Sequence, residues 1–230
     1  MQNNKALPLF YYQTLKSKVK YLIVLLLTVS ISYAFTSPPS EFIPVKNSKS
    51  LIHKLDSFAL SLSSIRSNFT QEKHISVLEE DIISKGTFIF RRPSTLKWSY
   101  KEPIQYEIAL LDDKFKINNE GKVSEYDIKS NKMFAEMNNM IVSMVNGSIL
   151  TSKSFDVKLF EGKTQYKAIL IPRQKDFKRF IAEIHIFFEK SDLMVSKIRM
   201  NEASGDYTLI KFTNRKKNSN IADSEFLFNN

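Results

Sequence analysis

Few side chains in this sequence are typed and spaced for chemistry. The three histidines, His53, His74 and His185, lack the spacing of a metal-ligand set, and no HExxH pattern is present. Each is explained as a solvated or packed histidine. The run Glu79-Glu80-Asp81 could hold a cation or serve acid–base work, but it reads more simply as a solvated acidic loop. No GxSxG elbow presents a nucleophilic serine. The absence of cysteine excludes thiol catalysis, thiolate metal sites, disulfides and a lipidated N-terminal Cys. Only five glycines occur, which argues against a Gly-rich phosphate loop and a Rossmann domain. The expectation is a protein with no catalytic residue, no metal and no cofactor, and therefore not an enzyme.

The pattern carries apolar and soft side chains instead. Met133, Met137, Met140, Ile141 and Met144 fall on one face of a helix predicted over Asn131 to Val145, which holds four of the seven methionines. Thioethers are flexible and polarizable, and are over-used on surfaces that adapt to varied apolar partners. A second set, Phe69, Phe88, Phe90, Leu96, Trp98 and Tyr100, lies on predicted strands. Large apolar residues of this kind either fill an ordinary core or wall a cavity. Arg92 shares the face of Phe88 and Phe90, whereas Arg91 points away. A guanidinium on an apolar face needs acceptors for its donors; the alternative is a surface arginine at a strand end.

The elements that must position these residues follow from periodicity. Ile52, Leu55, Phe58, Ala59, Leu62 and Ile65 predict a helix from Ser50 to Ile65, capped by Ser48 or Ser50. Strands are predicted from Asn68, over 84–92, and over Thr95 to Tyr100, where strict alternation marks burial on a single face. Short strands at 106–111, 114–117 and 122–126 follow, with turns at Asp112-Asp113 and Asn118 to Gly121. Past the methionine helix the pattern predicts strands at 155–160, 165–171, 181–189, 194–201, 207–214 and 225–228. The fold class is α+β, mainly antiparallel β: a meander forming a strongly curved sheet, with two helices covering its concave apolar face.

The N-terminal region reads as an address. Lys16, Lys18 and Lys20 precede the apolar run Tyr21 to Ile31, and Ser32-Tyr33-Ala34 supplies small residues for cleavage. Residues 1–34 are thus expected to be a cleaved signal peptide, with an uncleaved anchor as the alternative. Residues 35–49, with three prolines, read as a flexible linker, and 50–230 as one domain. The formal charge of +10 includes four lysines from the address, which leaves +6 for the rest. Lys and Arg are scattered rather than gathered in a stripe, so no nucleic-acid partner is expected.

The run Phe69-Thr-Gln-Glu-Lys73, then Ser84 to Arg92-Pro93, then Leu96-Lys-Trp-Ser-Tyr100 and Pro103 resembles the periplasmic outer-membrane lipoprotein carrier family, LolA. Gly205 to Asn214, continuing to Phe226, is similar to that family's closing strands. The resemblance implies a half-open barrel whose concave apolar face is lidded by helices. It implies a periplasmic carrier that shields the acyl chains of lipoproteins and passes them from an inner-membrane release complex to an outer-membrane acceptor. Arg92 matches the family's arginine before proline, implied to tie the sheet to the lid. The acyl chains would meet the two residue sets named above, in a protein expected to act as a monomer. Asp112-Asp113-Lys114, the hairpin at Asn118 to Lys122, and Leu96 in a commonly aromatic position depart from the family pattern. A carrier of another amphiphile, a glycolipid or polyene-type lipid, and a protein-binding sensor module on the same fold are the alternatives.

Overall fold

Alternation dominates the observed architecture, because strand after strand has one face to bury. The computed structural model describes residues 41–111, 114–127, 140, 143–144 and 148–228. Met133, Met137, Ile141 and the Asp112-Asp113 turn lie outside the described residues, as does the whole of 1–40. In chain order the strands are β1 (Ile43–Pro44), β2 (Ser64–His74), β3 (Ile82–Arg91), β4 (Thr95–Glu102), β5 (Tyr106–Leu111), β6 (Lys114–Asn119) and β7 (Lys122–Asp127). Then come β8 (Phe155–Glu161), β9 (Gln165–Pro172), β10 (Ile181–Glu189), β11 (Val195–Glu202) and β12 (Tyr207–Lys217). Helices are α1 (Ser48–Leu60) and the short α2 (Lys175–Lys178).

All twelve strands form one antiparallel sheet in the order β1-β8-β9-β10-β11-β12-β2-β3-β4-β5-β6-β7. The ladder is not a simple meander. The last strand, β12, pairs with the first long strand, β2, placing Ile210 opposite Gln71 and Phe212 opposite Phe69. Strands β1 and β7 are the two edges and do not pair, so the barrel stays open. Ile43 and Pro44, inside the segment read as linker, pair with β8. At the β6–β7 hairpin, Glu120 and Gly121 both take positive φ, as a two-residue hairpin loop requires.

Helix α1 is shorter and earlier than the periodicity predicts. Asn47, rather than Ser48 or Ser50, caps it by accepting a hydrogen bond from the Ser50 N–H at 3.0 Å. Leu51, Leu55 and Ala59 are its buried stripe. The helix stops at Leu60, where the Ser61 hydroxyl donates to the Phe58 carbonyl. Ser61, Ser63 and Ser64 offer the backbone local alternatives to the helical ladder. Ile65 therefore continues as strand β2, opposite Phe90.

The predicted C-terminal strand over 225–228 is instead a 3-10 turn at Asp223–Phe226. It lies across the convex face and is held side chain by side chain. Arg66 binds the Glu225 carboxylate, Arg91 bonds the Ile221 carbonyl and Asp223, and Lys97 donates to the Leu227 carbonyl at 2.6 Å. Phe226 and Ile221 bury Ile89 beneath them. Lys97, expected on a wet face, is only 6% exposed and also pairs with Glu107 at 2.9 Å. A strand here would need a free sheet edge, whereas β2 to β5 each have a neighbour on both sides.

One glycine of the central strands is set by close approach. A Cβ on Gly86 would stand 1.9 Å from the Ser99 carbonyl oxygen and 2.8 Å from the Phe69 ring. Gly86→Ala must therefore shift backbone or ring. We expect a loss of about 1–3 kcal/mol, as overpacking commonly costs, read from urea denaturation; an unchanged midpoint would refute this packing.

Candidate functional site

The apolar face of the sheet encloses a cavity of about 360 Å³. This lies at the lower end of the range for small-molecule pockets, roughly 300–1,000 Å³. Its walls come from three sources. β2 to β6 contribute Ile65, Phe88, Leu96, Trp98, Ile108 and Phe115; β10 to β12 and their connections contribute Phe188, Met194, Met200, Ile210 and Phe212. Helical residues supply the third wall: Leu55, Phe58 and Ala59 of α1, with Met140 and Met144. Phe188 on β10 and Ile108 on β5 are six strand positions apart, roughly 29 Å on a flat sheet at about 4.8 Å per step. Both reach one small cavity only because the sheet is strongly curved.

Arg92 ties sheet to helix. Its Nε donates to the Leu62 carbonyl at 2.5 Å and its Nη2 to the Ala59 carbonyl at 2.6 Å. Its backbone N–H donates to Ser63 at 2.9 Å. These acceptors are carbonyls at and just past the C-terminus of α1, where the helical ladder runs out of donors; Ala59 also accepts from the Leu62 N–H at 3.2 Å. A guanidinium there also meets the negative end of the helix dipole, a favourable placement of about 0.3–1 kcal/mol near the surface. Asn218, at positive φ, holds the same connection from the other side. It accepts from the Ser63 N–H at 2.8 Å and donates to the Ser61 carbonyl at 3.2 Å.

Polar groups on the cavity wall are few. The Tyr100 hydroxyl donates to Gln71 Oε1 at 3.0 Å. Burial, reinforced by nearby Tyr106, pushes the Tyr100 pKa up, so this donor persists through neutral pH. The Trp98 indole N–H lies near enough to favour the ionised form of Tyr100, yet outside hydrogen-bond geometry. The Ser67 hydroxyl is buried without a partner. The charged wall residue Arg215 donates to the Met194 carbonyl and pairs with Asp192.

Of the residues expected to wall a cavity, Phe88, Leu96, Trp98, Tyr100, Met140 and Met144 do so. Phe69 and Phe90 do not. They are 2% and 1% exposed and back the wall, with the Phe69 ring 4.8 Å from Trp98 and 5.1 Å from Tyr100. The wall from β10 to β12 was not anticipated. Its signal lay in the alternation of Ile186 with Phe188 and of Ile210 with Phe212, but only the β12–β2 pairing turns that face toward Trp98. Histidines take local roles: His74 meets Asp81 at 2.7 Å and stacks on Tyr207, and half-buried His185 meets Glu183. Among the described residues no group of three or more His, Asp or Glu could hold a metal ion.

Fold and cavity together define an open antiparallel half-barrel with an apolar interior roofed by helical residues. The chain belongs to the LolA family: the family's sequence model, described as outer membrane lipoprotein carrier protein LolA, matches residues 61–229. An outer-membrane lipoprotein carrier protein of Cupriavidus taiwanensis is 27% identical over 179 residues, covering 76% of this chain and 82% of the relative. One from Ralstonia nicotianae is 25% identical over 185 residues, covering 77% and 82%. Among solved structures, a LolA superfamily protein of Nitrosomonas europaea aligns with TM-score 0.42 and 10% identity, over 80% of this chain and 99% of that one.

The geometry around Arg92 yields a direct test. Arg92→Leu leaves the Leu62 carbonyl and one bond of Ala59 unmet, an expected cost of about 1–3 kcal/mol. In hydrogen exchange, α1 amides of the variant should lose protection well before those of β2 and β3. Equal loss across helix and sheet would show that Arg92 does not tie the two.

Proposed function

We propose that this protein is a non-enzymatic periplasmic carrier that shelters the acyl chains of lipoproteins in the roofed cavity and hands them from the inner to the outer membrane. One observation carries this reading: an apolar cavity whose roof is held to its wall by the Arg92 hydrogen bonds. The relatives of Cupriavidus taiwanensis and Ralstonia nicotianae, both outer-membrane lipoprotein carrier proteins, support the same cargo.

The energetics fit carriage. Burial returns about 0.8 kcal/mol per methylene, while ordering the chain and parting the roof take much of it back. Net affinity stays modest, which handover requires. Phe88, Leu96, Trp98 and Tyr100 form the fixed side of the acyl site, and Met140 and Met144 the adaptable side. Phe69 and Phe90 support it from behind. Met133, Met137 and Ile141 belong to the same proposed roof by sequence pattern. Arg92 is the latch: its bonds to the end of α1 must yield before a chain enters or leaves.

Export follows from the basic and apolar N-terminal pattern, with residues 1–34 removed and the carrier released as a monomer. The inner-membrane release complex and the outer-membrane acceptor are its expected partners.

The test is what the native protein carries. Mass spectrometry of protein purified from the periplasm should find acylated lipoproteins bound. Arg92→Leu should still load, but deliver lipoproteins to the outer membrane poorly. A stoichiometric unacylated protein in place of lipid would overturn the carrier reading, and normal delivery by Arg92→Leu would remove the latch.

A further inference from the structure

We infer that the convex face of β8 to β12 is a docking surface for the anionic headgroups of a bilayer. This goes beyond the carrier reading, which concerns the opposite face of the sheet, and does not depend on it. Lysines scattered along the sequence are gathered here by strand pairing. Lys167 on β9, Phe187 on β10, Lys197 on β11 and Lys211 on β12 stand opposite one another in turn, and the row continues through Thr70 to Lys85 on β3. Phe188, one step on from Phe187, lines the cavity, so this row points outward. Arg199 lies two residues from Lys197, and Lys158 two residues from the Phe160 that faces Lys167. From β9 to β3 the row covers five strand steps, roughly 24 Å.

Much of this charge is not cancelled within the fold. Lys211 pairs with Glu72, Lys85 with Glu102 and Arg173 with Asp156, while Glu183 is engaged by His185 and Asn201. Among the described residues Lys158, Lys167 and Lys197 have no carboxylate partner. Lys167 and Lys197 are instead propped on the Phe187 ring, 5.9 and 3.9 Å from its centroid, a contact that steadies each ammonium without neutralising it. Lys197 and Lys211 stand opposite each other, a like-charge pairing that is unfavourable and that an external anion relieves. Burial is the chief cause of the lowered His185 pKa; Glu183 opposes it, and Lys167 and Arg199 add to it. Their charges thus converge on the centre of the face.

The shape and the chain entry indicate the partner. A convex surface cannot enclose a small anion, and a band of this length meets many anions at once. A bilayer supplies them, each lysine near its surface strengthening binding about fivefold. Phe187 is only 7% exposed, so the contact is with headgroups, without insertion. The chain also joins the domain on this face: the Phe42 ring stands edge-on to Phe187 at 5.8 Å, with the Lys167 ammonium 5.4 Å from its centroid. Residues 32–41 alone link Phe42 to the apolar run Tyr21 to Ile31, a reach of at most about 35 Å. During export this side of the domain is therefore the one tethered to a membrane.

Cosedimentation of the full mature protein with vesicles tests this, comparing pure phosphatidylcholine with a two-to-one mixture of phosphatidylcholine and phosphatidylglycerol. The wild type should bind the anionic vesicles at least about tenfold more tightly. That preference should vanish at about 1 M salt, where the screening length is roughly 3 Å. Lys158→Gln and Lys197→Gln should each weaken anionic binding about fivefold. Lys54→Gln removes an exposed cation of α1, over the Tyr166 ring on the other side of the sheet; it should change binding less than about twofold. Lys158 is exposed and makes no ion pair, so its variant keeps the fold, which an unchanged melting temperature checks. Equal binding of the two vesicles, insensitivity to salt, or an equal loss in Lys54→Gln would overturn the docking surface, whatever the cavity carries. Impaired lipoprotein delivery in the face variants with no preference for anionic vesicles would also overturn it, and would assign the face to an acidic protein.

Discussion

The pairing of β12 with β2 is the constraint on which the molecule depends. The eleven residues of β2 and the eleven of β12 would otherwise be separate edges of two smaller sheets, each with its own exposed apolar face. Joined, they place Ile210 and Phe212 beside Phe69 and Phe88, and one continuous apolar surface runs from β8 to β6. Curvature then does the rest. A sheet this wide and strongly bent cannot fill its hollow from its own side chains, so helical residues are drawn over it. The long-range pairing costs loop closure across most of the chain, and it is repaid by burying both halves against one another.

This explains what could be read in the sequence and what could not. Strands declare themselves locally: the alternation of Leu96, Trp98 and Tyr100 needs no partner to be recognised. The face of Arg92 could likewise be inferred from its step of two from Phe90. Which strand neighbours which is not local information, and the far wall of the cavity was missed for that reason. The early end of α1 was obscured because Leu62 and Ile65 prolong a helical spacing that the serines between them interrupt. The C-terminal segment misled for another reason. Phe226 and Phe228 alternate like a strand, but the partners that hold this segment are Arg66, Arg91 and Lys97, whose outward faces looked merely solvated. Phe69 and Phe90 show the limit of residue type. An aromatic on the correct face can still be backing rather than surface.

The cavity itself is a compromise between packing and vacancy. Core side chains normally interdigitate at high density, and Phe69, Phe90 and Leu110 do so behind the wall. In front of them Trp98 and Tyr100 remain less completely covered, and the opposing surface is furnished by thioethers. Rigid aromatics on the sheet and compliant side chains on the roof divide the labour: one side defines a shape, the other conforms. The Arg92 guanidinium suits the junction because its forked donors reach two carbonyls at once, those of Leu62 and Ala59.

The segment laid across the convex face has a mechanical consequence. By fastening to Ser64 and Arg66 on β2, Arg91 on β3 and Lys97 on β4, it laces three adjacent strands from outside, as a batten stiffens a panel. Shear or splaying between those strands would have to break these ties together. The same segment also reaches the seam between panel and α1, where Asn218 binds Ser61 and Ser63. One stretch of chain thus stiffens the panel on its convex side and steadies the connection that carries the helix on the other.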